Sequence, residues 1–329
     1  MRLAFALRGL PGRDGLRRFG CFRIDHLAGT ARDAKRSPLW SARPGFLEDL
    51  MPAAEIRLLK EYREFKQCER LQRAVWGSPG VSPEVMAVTQ KFGGAVLGAF
   101  VEGRLAGFLY AFLARRKGQI VHWSHMMAVA SRFRGQGLGL RLKLAHRELA
   151  LQQGIRSICW TYDPLQSANA RLNLAKLGAR VEEYIVDCYG RFPSIIERGL
   201  PSDRFVVNWK IRTQDVERRL AGKKAGCIAT LLPRINATGI NAQGFLENRK
   251  IDLNRREPRL LVEIPPDAGR MRRNSLPLAR RWRLETRKIF SLYLAEGYRV
   301  DDFITVAQDQ DPRYFYILRR HVGRPPSKL

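Results

Sequence analysis

The sequence predicts a fold that mixes α-helices with β-strands, and three observations support this class. Residues 53–76 place apolar side chains at helical spacing, among them Ile56, Leu59 and Phe65. Residues 94–114 are rich in β-forming residues on both sides of Glu102–Gly103, which predicts a hairpin. A glycine-rich loop then joins a third strand to a second helix. Helices and strands therefore alternate along one region of the chain.

The elements after the hairpin can be assigned in order. QIVHWSHMMAV (119–129) reads as a strand that runs into the glycine loop, and the following helix ends at Gly154. Apolar residues of that helix recur along one face at positions 138, 142, 145 and 149. The next segments are SICWTYDP (157–164), SANARLNLAKLGA (167–179) and RVEEYIVDCYG (180–190). They predict a strand, a helix closed by Gly178, and a further strand.

Composition restricts the class of protein. The 329 residues carry 59 Lys and Arg against 31 Asp and Glu, a net charge of +28, which favours anionic partners such as nucleic acid, acidic lipids or phosphorylated cofactors. The charge is not confined to a tail, and its even spread is typical of a genomic bias toward arginine. The five cysteines form no CxxC pair, so we expect a reducing compartment, the cytoplasm, and no metal. No apolar stretch is long enough to predict a membrane partner.

The C-terminal region contains an echo of the preceding domain. GARVEEYIV (178–186) and GYRVDDFIT (297–305) share Gly, Arg, Val, two acids, an aromatic and Ile in the same order, and each follows a helix-like stretch. Chance similarity is the alternative for so short a match. We expect an Arg-rich, poorly ordered extension at 1–50, with a targeting presequence as the alternative. A domain at 51–215 follows, then a linker or irregular segment at 216–255, and a region at 256–329 that repeats the second half of that domain.

The glycine loop predicts a phosphate site. Gly135, Gly137 and Gly139 lack a Cβ, so a ligand can approach the backbone N–H groups at the positive end of the helix dipole. A tight turn is the alternative. The order G-x-G-x-G departs from the dinucleotide pattern G-x-G-x-x-G, and the GK[ST] of a P-loop does not follow it. Dinucleotides and nucleoside triphosphates are both disfavoured.

VASRFRGQGLG (129–139) resembles the coenzyme A motif of the GCN5-related N-acetyltransferases (GNAT), R/Q-x-x-G-x-G/A, with Arg134, Gly137 and Gly139 at its fixed positions. The order of elements over residues 54–215 is similar too. The resemblance implies a mixed, mostly antiparallel sheet flanked by helices, with the acyl-CoA pyrophosphate on the backbone of residues 134–139. It implies pairing of the pantetheine arm with the strand at Met127–Val129. The implied cofactor-binding residues are Met127, Val129, Arg134, Gly135, Gln136, Gly137, Leu138, Gly139 and Asn169.

The candidate catalytic residues are His125, His122 and Tyr162. Acyl transfer to an amine needs a base that titrates near pH 7, and both histidines lie on the strand before the loop. The spacing H-x-x-A-V resembles arylalkylamine acetyltransferases, where histidines on this strand relay the proton. A spacing of three places the rings on opposite faces of a regular strand, whereas a bulge could bring them nearer. The alternative is a hydrogen-bonded histidine in a half-buried sheet.

For the general acid and for the acceptor site, the sequence leaves alternatives. Leu174 stands where many members of the family carry a tyrosine, so Tyr162 or Tyr189 would have to supply the proton, unless both serve packing or a polar rim. Asn169 either binds the CoA arm or caps its helix. Asp163 either orients an amine or ends its strand. The arginines of residues 270–287 either recognise a substrate carboxylate or form a solvated helix face.

The resulting hypothesis is an acyl-CoA-dependent N-acyltransferase that transfers an acetyl or succinyl group from acetyl-CoA or another acyl-CoA. The acceptor is the amine of a small molecule, for example an amino acid. Similarity to a bacterial subgroup of predicted acetyltransferases, some of which are thought to N-succinylate amino acids, suggests this class of acceptor. A non-catalytic CoA-binding module is the first alternative, because of Leu174 and the degenerate repeat. Nucleic-acid binding is the second and is disfavoured, because no recognisable motif accompanies the charge. Whether the protein forms a homodimer is left open by the sequence.

Overall fold

The segment predicted as one helix from residue 53 is divided into a strand and a helix. The computed structural model describes residues 54–77, 80–190, 199–222, 231–307 and 312–321. Strand β1 (Ala54–Leu58) pairs with β2, and helix α1 (Tyr62–Trp76) begins only after Glu61. The Glu64 carboxylate accepts from the backbone N–H groups of Lys60 and Glu61 at 2.7 and 3.2 Å, which fixes the helix start. The helical prediction is therefore wrong before residue 62, because pairing with β2 outweighs the local pattern.

Within the described residues, ten strands form one sheet in the order β1-β2-β3-β4-β5-β7-β6-β11-β12-β10. Only β4 and β5 pair in parallel, and the other neighbours are antiparallel, which confirms the mixed, mostly antiparallel sheet. The remaining strands are β2 (Ala95–Val101), β3 (Arg104–Arg116), β4 (Gln119–Val129), β5 (Ser157–Tyr162), β6 (Arg180–Ile185), β7 (Arg204–Lys210), β10 (Arg259–Ile264), β11 (Tyr298–Val306) and β12 (Arg313–Arg320).

Helices cover both faces of the first half of the sheet. Helix α1 and helix α2 (Pro83–Lys91) pack on one face, in a cluster with Phe108 and Tyr110 of β3. Helix α3 (Leu138–Gln152) packs on the other face, where Leu142 contacts a cluster that contains Leu109. We call these the α1 face and the α3 face. They are distinct because successive strand residues point to opposite sides of the sheet.

The C-terminal region continues the sheet with the topology that the sequence echo predicts. Strand β5 is followed by α4 (Ser167–Ala170), which continues as a π-helical turn over residues 171–176, and then by β6 and β7. Strand β10 is likewise followed by α6 (Ala268–Asn274), α7 (Leu276–Ala295), β11 and β12. In each group the last strand lies between the other two.

The two groups meet at equivalent residues. Val181 of β6 pairs with Val300 of β11, and these are the fourth residues of the two similar segments. The ladders β6–β7 and β11–β12 also shift register at the same place, after Val181 and after Val300. Helix α7 contacts β6 as well as β11, and the π-helical turn contacts β11. This pairing of like with like is the arrangement that a two-fold axis produces.

The segment 216–255 is more regular than the sequence indicates. Among its described residues are most of α5 (Gln214–Leu220) and a hairpin of β8 (Asn236–Ile240) and β9 (Leu246–Ile251). Asn236 is buried, and its side chain accepts from the backbone N–H of Glu263 in β10 at 2.8 Å. The hairpin is therefore anchored to the C-terminal strands. The predicted extension at 1–50 lies outside the described residues.

One hydrophobic core joins the two halves. Phe205 of β7 packs against Phe290 of α7 with ring centroids 4.6 Å apart, and Tyr162 and Tyr316 belong to the same cluster. All described residues fall within one compact unit. In this part of the chain we find no helix with the length and apolar character that crossing a bilayer requires.

Candidate functional site

Strands β4 and β5 separate to form an open gap. They pair only at His122–Ile158 and Trp123–Cys159, and beyond this point β4 keeps its pairing with β3 alone. Met127 and Val129 lie opposite Leu109 and Gly107 of β3, so their other edge has no strand partner in the described residues. Unpaired peptide groups on a strand edge can bind an extended ligand.

The glycine loop leads from the end of β4 into α3. A 3-10 turn, Ser131–Phe133, is followed by Gly135 and Gly137, whose φ angles of 80° and 72° lie in the left-handed region. Gly137 is the N-cap of α3, and Arg141 N–H donates to its carbonyl at 3.1 Å. Within the described residues, the N–H groups of residues 135–140 have no backbone acceptor. They form a cradle at the positive end of a 15-residue helix.

The side chains of the loop brace it. Arg134 Nε donates to the carbonyl of Val129 at 3.2 Å, and Gln136 Nε2 donates to the carbonyl of Arg132 at 3.2 Å. The Leu138 side chain is buried in a small cluster with Val101 and Ala106. Of this residue, only the backbone N–H is therefore placed to bind a ligand.

Asn169 lies on the first turn of α4 with an exposed side chain. The N-cap of that helix is Gln166, three residues earlier, so the alternative that Asn169 caps the helix is wrong. Among the described residues its amide has no hydrogen-bond partner.

His125 occupies a bulge of β4. Tyr110 of β3 pairs with Met126 and Ala111 pairs with Ser124, which leaves His125 as the extra residue. Its ring lies 6.2 Å from that of Tyr110 and 5.9 Å from that of Phe112, on the α1 face. The residue is exposed, but partial burial beside these rings lowers the pKa of the imidazole. His125 is therefore largely neutral near pH 7.

His122 is separated from His125 by the sheet. Its side chain is fully buried on the α3 face, where Nδ1 lies 2.8 Å from His146 Nε2 and Nε2 lies 3.2 Å from the carbonyl of Gly93. Burial lowers the pKa of His122 and of His146. The bulge does not bring the rings of His122 and His125 together. His122 thus corresponds to the alternative of a hydrogen-bonded histidine within the sheet.

Tyr162 points away from the gap into the core. Its hydroxyl donates to Tyr316 Oη at 3.3 Å, Tyr316 donates to the carbonyl of Pro164 at 2.7 Å, and burial raises the pKa of Tyr162. A proton donor must reach the leaving thiolate, and this hydroxyl is enclosed. The prediction of Tyr162 as a catalytic residue therefore needs correction. Leu174 is also fully buried in this core.

Tyr189 lies on the accessible side of β5. Its hydroxyl is 3.0 Å from Thr161 Oγ1, and Thr161 lies two residues beyond Cys159, the partner of Trp123. Side chains alternate along a strand, so Thr161 is on the face that carries Trp123 and His125. From the sequence, Tyr189 is a candidate only because of its residue type. It lies in the long connection between β6 and β7, and no local pattern shows which face of the sheet this connection reaches.

Lys143 of α3 is a residue that sequence reasoning missed. Its side chain is only 2% exposed, with Nζ 3.0 Å from Ser124 Oγ and 3.6 Å from the centroid of the Trp160 ring. Ser124 and Trp160 are the first residues beyond the last β4–β5 pair, so the amine lies at the apex of the gap. Burial lowers the pKa of this lysine to about 7. The only signal in the sequence is a lysine between apolar neighbours of a helix.

Asp163, predicted either to orient an amine or to end its strand, forms an ion pair with a residue of the C-terminal half. Its Oδ2 accepts from Arg283 Nη2 at 2.7 Å and its Oδ1 from the backbone N–H of Leu165 at 2.9 Å. Burial by itself would raise the pKa of this carboxyl, but attraction to Arg283 lowers it overall. The residue ties the end of β5 to α7. The described residues contain no cluster of three or more His, Cys, Asp or Glu that could hold a metal ion.

The comparisons with known proteins agree with this description. The model of the acetyltransferase (GNAT) family matches residues 57–179, which include β4, the glycine loop, α3 and β5. No curated protein sequence matches the chain.

Solved structures that match part of the chain include an acetyltransferase of the GNAT family from Streptococcus pneumoniae, with 19% identity over 47% of this chain and 98% of the other and a TM-score of 0.38. The ribosomal-protein-S18-alanine N-acetyltransferase from Escherichia coli has 14% identity over 49% and 96% of the two chains, with a TM-score of 0.40. The IAA acetyltransferase from Bacillus cereus has 19% identity over 48% and 99%, with a TM-score of 0.39.

The family match covers the strand, loop and helix that form the cradle, and the motif Arg134, Gly137 and Gly139 lies within it. Residues 57–179 therefore form a domain of the acetyltransferase (GNAT) family.

Proposed function

We propose that the protein is an acyl-CoA-dependent N-acyltransferase that acts on a small amine. The observation that supports this most strongly is the cradle of N–H groups at residues 135–140, next to the unpaired edge of β4. A diphosphate is bound well by such a helix start. The pantetheine arm then extends along Met127–Val129 toward the apex of the gap, with Asn169 of α4 available to donate to it.

His125 is the proposed general base. The amine nitrogen attacks the thioester carbonyl, a C–N bond forms, the C–S bond breaks, and the amine proton passes to His125. A histidine that is neutral at pH 7 can accept this proton, and the lowered pKa of His125 favours that state. The exposed position on the α1 face gives it access to solvent and to an acceptor.

Tyr189 is the proposed donor of the proton that the leaving thiolate requires. Its hydroxyl lies 3.0 Å from Thr161 Oγ1 of β5. Thr161 is on the same sheet face as His125 of β4. This assignment replaces Tyr162. The acyl group, acetyl or succinyl, and an amino acid as acceptor stay part of the proposal, as do a cytoplasmic location and a homodimer.

Calorimetric titration tests the cofactor first. Acetyl-CoA, succinyl-CoA and CoA are titrated into the full chain, with ATP as a control that carries phosphates without pantetheine. We expect the three CoA ligands to bind and ATP to bind at least about tenfold more weakly, because only CoA has an arm that pairs with β4. If no CoA ligand binds, the proposal is wrong.

A non-catalytic CoA-binding module is the second candidate, and the burial of both Leu174 and Tyr162 favours it. Release of free thiol, followed with DTNB over a panel of amines, separates the two. Turnover with any amine supports the enzyme. Binding of acyl-CoA without turnover over the whole panel supports the module.

A further inference from the structure

Three side chains close the apex of the β4–β5 gap on the α3 face, and we call them the apex cluster: Ser124, Lys143 and Trp160. Ser124 of β4 and Trp160 of β5 are the first residues beyond the last pair of the two strands, Trp123–Cys159. Lys143 reaches them from α3, with Nζ 3.0 Å from Ser124 Oγ and 3.6 Å from the centroid of the Trp160 ring. The amine therefore spans the opening at the point where the strands separate.

The apex cluster is enclosed by its neighbours. Lys143, Trp160 and Ser124 are 2%, 4% and 5% exposed. The Trp160 ring is in edge-to-face contact with that of Trp209, with ring centroids 6.2 Å apart, and Trp209 Nε1 donates to the carbonyl of Leu177 at 2.8 Å. Side chains packed in this way do not move aside without cost. A group that extended past the apex would have to displace one of them.

The charge of Lys143 is accommodated within the apex cluster. Its Nζ donates to Ser124, and the Trp160 ring lies within the range of a cation–π contact. The titratable side chains beside it on the α3 face are His146 and His122, and burial lowers the pKa of both, so they are neutral near pH 7. Burial also lowers the pKa of Lys143 to about 7, so about half of the amines are neutral at that pH. The apex cluster therefore presents bulk more than charge to a group that enters the gap.

The direction of the bound acyl-CoA decides which part of it meets the apex cluster, and this step rests on the proposed function. With the diphosphate on the cradle at residues 135–140, the pantetheine arm extends along Met127–Val129 toward the apex. The acyl group is the end of that arm, so it is the part that points at Lys143 and Trp160. In a closed site, one additional methylene changes binding by about tenfold or more.

We propose that Lys143 and Trp160 determine the acyl specificity by closing the gap behind an acetyl group. Longer acyl groups, whether apolar or acidic, are excluded because their additional carbons meet the apex cluster. A lysine suits this position because its straight side chain reaches from α3 to both strands and its amine binds Ser124. Of the acetyl and succinyl groups that the sequence leaves open, the proposal selects acetyl.

Affinity and turnover with three acyl-CoA ligands test the proposal in the full chain. Acetyl-CoA, butyryl-CoA and succinyl-CoA are titrated calorimetrically, and kcat/KM is measured through thiol release with an accepted amine. Butyryl and succinyl chains have equal length and only succinyl carries a carboxylate, so the pair separates size from charge. We expect the wild-type protein to prefer acetyl-CoA at least about tenfold over both.

Variants of Lys143 divide the two effects further. Lys143→Ala removes three methylenes and the amine, more than the two methylenes that distinguish butyryl from acetyl, and we expect it to reduce the preference over butyryl-CoA at least about tenfold. Lys143→Met keeps the length without the charge, so we expect the preference to remain. Arg147→Ala is the matched control, because Arg147 is also buried on α3 but its Nε donates to the carbonyl of Ile211 at 3.0 Å. Lys143→Val replaces Lys143→Ala if the smaller side chain prevents folding.

Three results would overturn the proposal. The first is equal affinity of the wild-type protein for acetyl-CoA and butyryl-CoA, and the second is an unchanged preference in the variants with a shorter side chain. The third is a wild-type preference for succinyl-CoA, which would show that the charge of Lys143 attracts a carboxylate. The affinities provide this test even if the protein does not turn over. If no CoA ligand binds at all, the proposed function itself is wrong, whereas equal binding of all three contradicts only the acyl specificity.

Discussion

His125 and His122 illustrate how neighbouring residues of one strand acquire different roles. Both histidines precede the glycine loop, and both have pKa values lowered by burial. His122 is enclosed on the α3 face with His146, whereas His125 stands in a bulge on the α1 face beside two aromatic rings. The same residue type is therefore a structural group in one position and the candidate base in the other.

Replacing His125 with Gln should lower kcat/KM by about 10²–10⁴ without changing the affinity for acyl-CoA. The wild-type profile of kcat/KM against pH should rise with an apparent pKa below 6.5, because the neutral ring is the active form and its pKa is lowered. His122→Gln is the control: it should reduce stability but keep the acidic limb. An unchanged pH profile in His125→Gln would remove the histidine from the mechanism.

Lys143 should make stability depend on pH in the alkaline range. Its folded pKa of about 7 lies below the unfolded value of 10.5, so between these values the unfolded chain binds more protons and stability rises with pH. Lys143→Met should therefore stabilise the protein by about 1–3 kcal/mol at neutral pH, with a gain that shrinks toward pH 10.

Urea unfolding at several pH values measures this effect. Lys288→Met serves as the control because Lys288 is an exposed lysine on α7. A gain that is equal at every pH would show that the charge of Lys143 is not the cause.

At the scale of elements, the start of α3 carries the proposed cofactor site. Gly137 combines a left-handed φ with the N-cap position, and the N–H groups that follow lack acceptors in the described part of the chain. Gly154, at the other end of the same helix, also has a left-handed φ of 73°. Both glycines adopt a φ that would strain any other residue, but only Gly137 lies beside the N–H groups of the cradle.

Gly137→Val and Gly154→Val should each destabilise the protein by about 1–2 kcal/mol or more, since a side chain with a left-handed φ is strained. Only Gly137→Val should weaken acetyl-CoA, by at least about tenfold, because the change alters the direction of the cradle N–H groups. Calorimetric titration and thermal unfolding separate the two effects. Equal affinity in both variants would argue against the cradle.

For the molecule as a whole, the two halves share one core and several ion pairs. Phe290 of α7 packs on Phe205, Tyr184 and Tyr316. Arg287 pairs with Asp203 at 2.7 Å, and Arg219 pairs with Asp302. Some of the excess arginines thus form ion pairs within the protein. The domain boundary predicted at residue 215 does not coincide with a boundary in packing.

Phe290→Ala should cost about 3–5 kcal/mol and lower the unfolding midpoint of the entire protein in a single transition. The reason is that the removed ring contacts both halves. Phe92→Ala, at a position 71% exposed, should change stability by less than about 0.5 kcal/mol. Calorimetry combined with CoA binding provides the measurement. Two separate transitions would contradict a shared core.

Much of the fold was predictable because its signals are local. The hairpin around Glu102–Gly103, the strand before the loop and Gly178 after the π-helical turn follow from turn chemistry and periodicity. Helix α2 was not predicted, although Ser82 at its N-cap and Pro83 at its first position are typical of a helix start. Strand β1 was taken as helix because its five residues also fit a helical pattern, and pairing across the sheet is not a local property.

The sequence by itself determined the glycine loop, since glycines at fixed spacing and a helix that follows them are short-range features. It also contained the two similar segments 178–186 and 297–305, which lie side by side in the sheet through the pairing of Val181 with Val300. Only the tertiary structure decided which histidine is exposed, that Tyr162 is enclosed, and that Arg283 of α7 reaches Asp163 at the end of β5. These outcomes depend on which strand face a side chain occupies and on contacts between residues more than a hundred positions apart. No local pattern specifies such contacts, because they arise only when the two halves pack together.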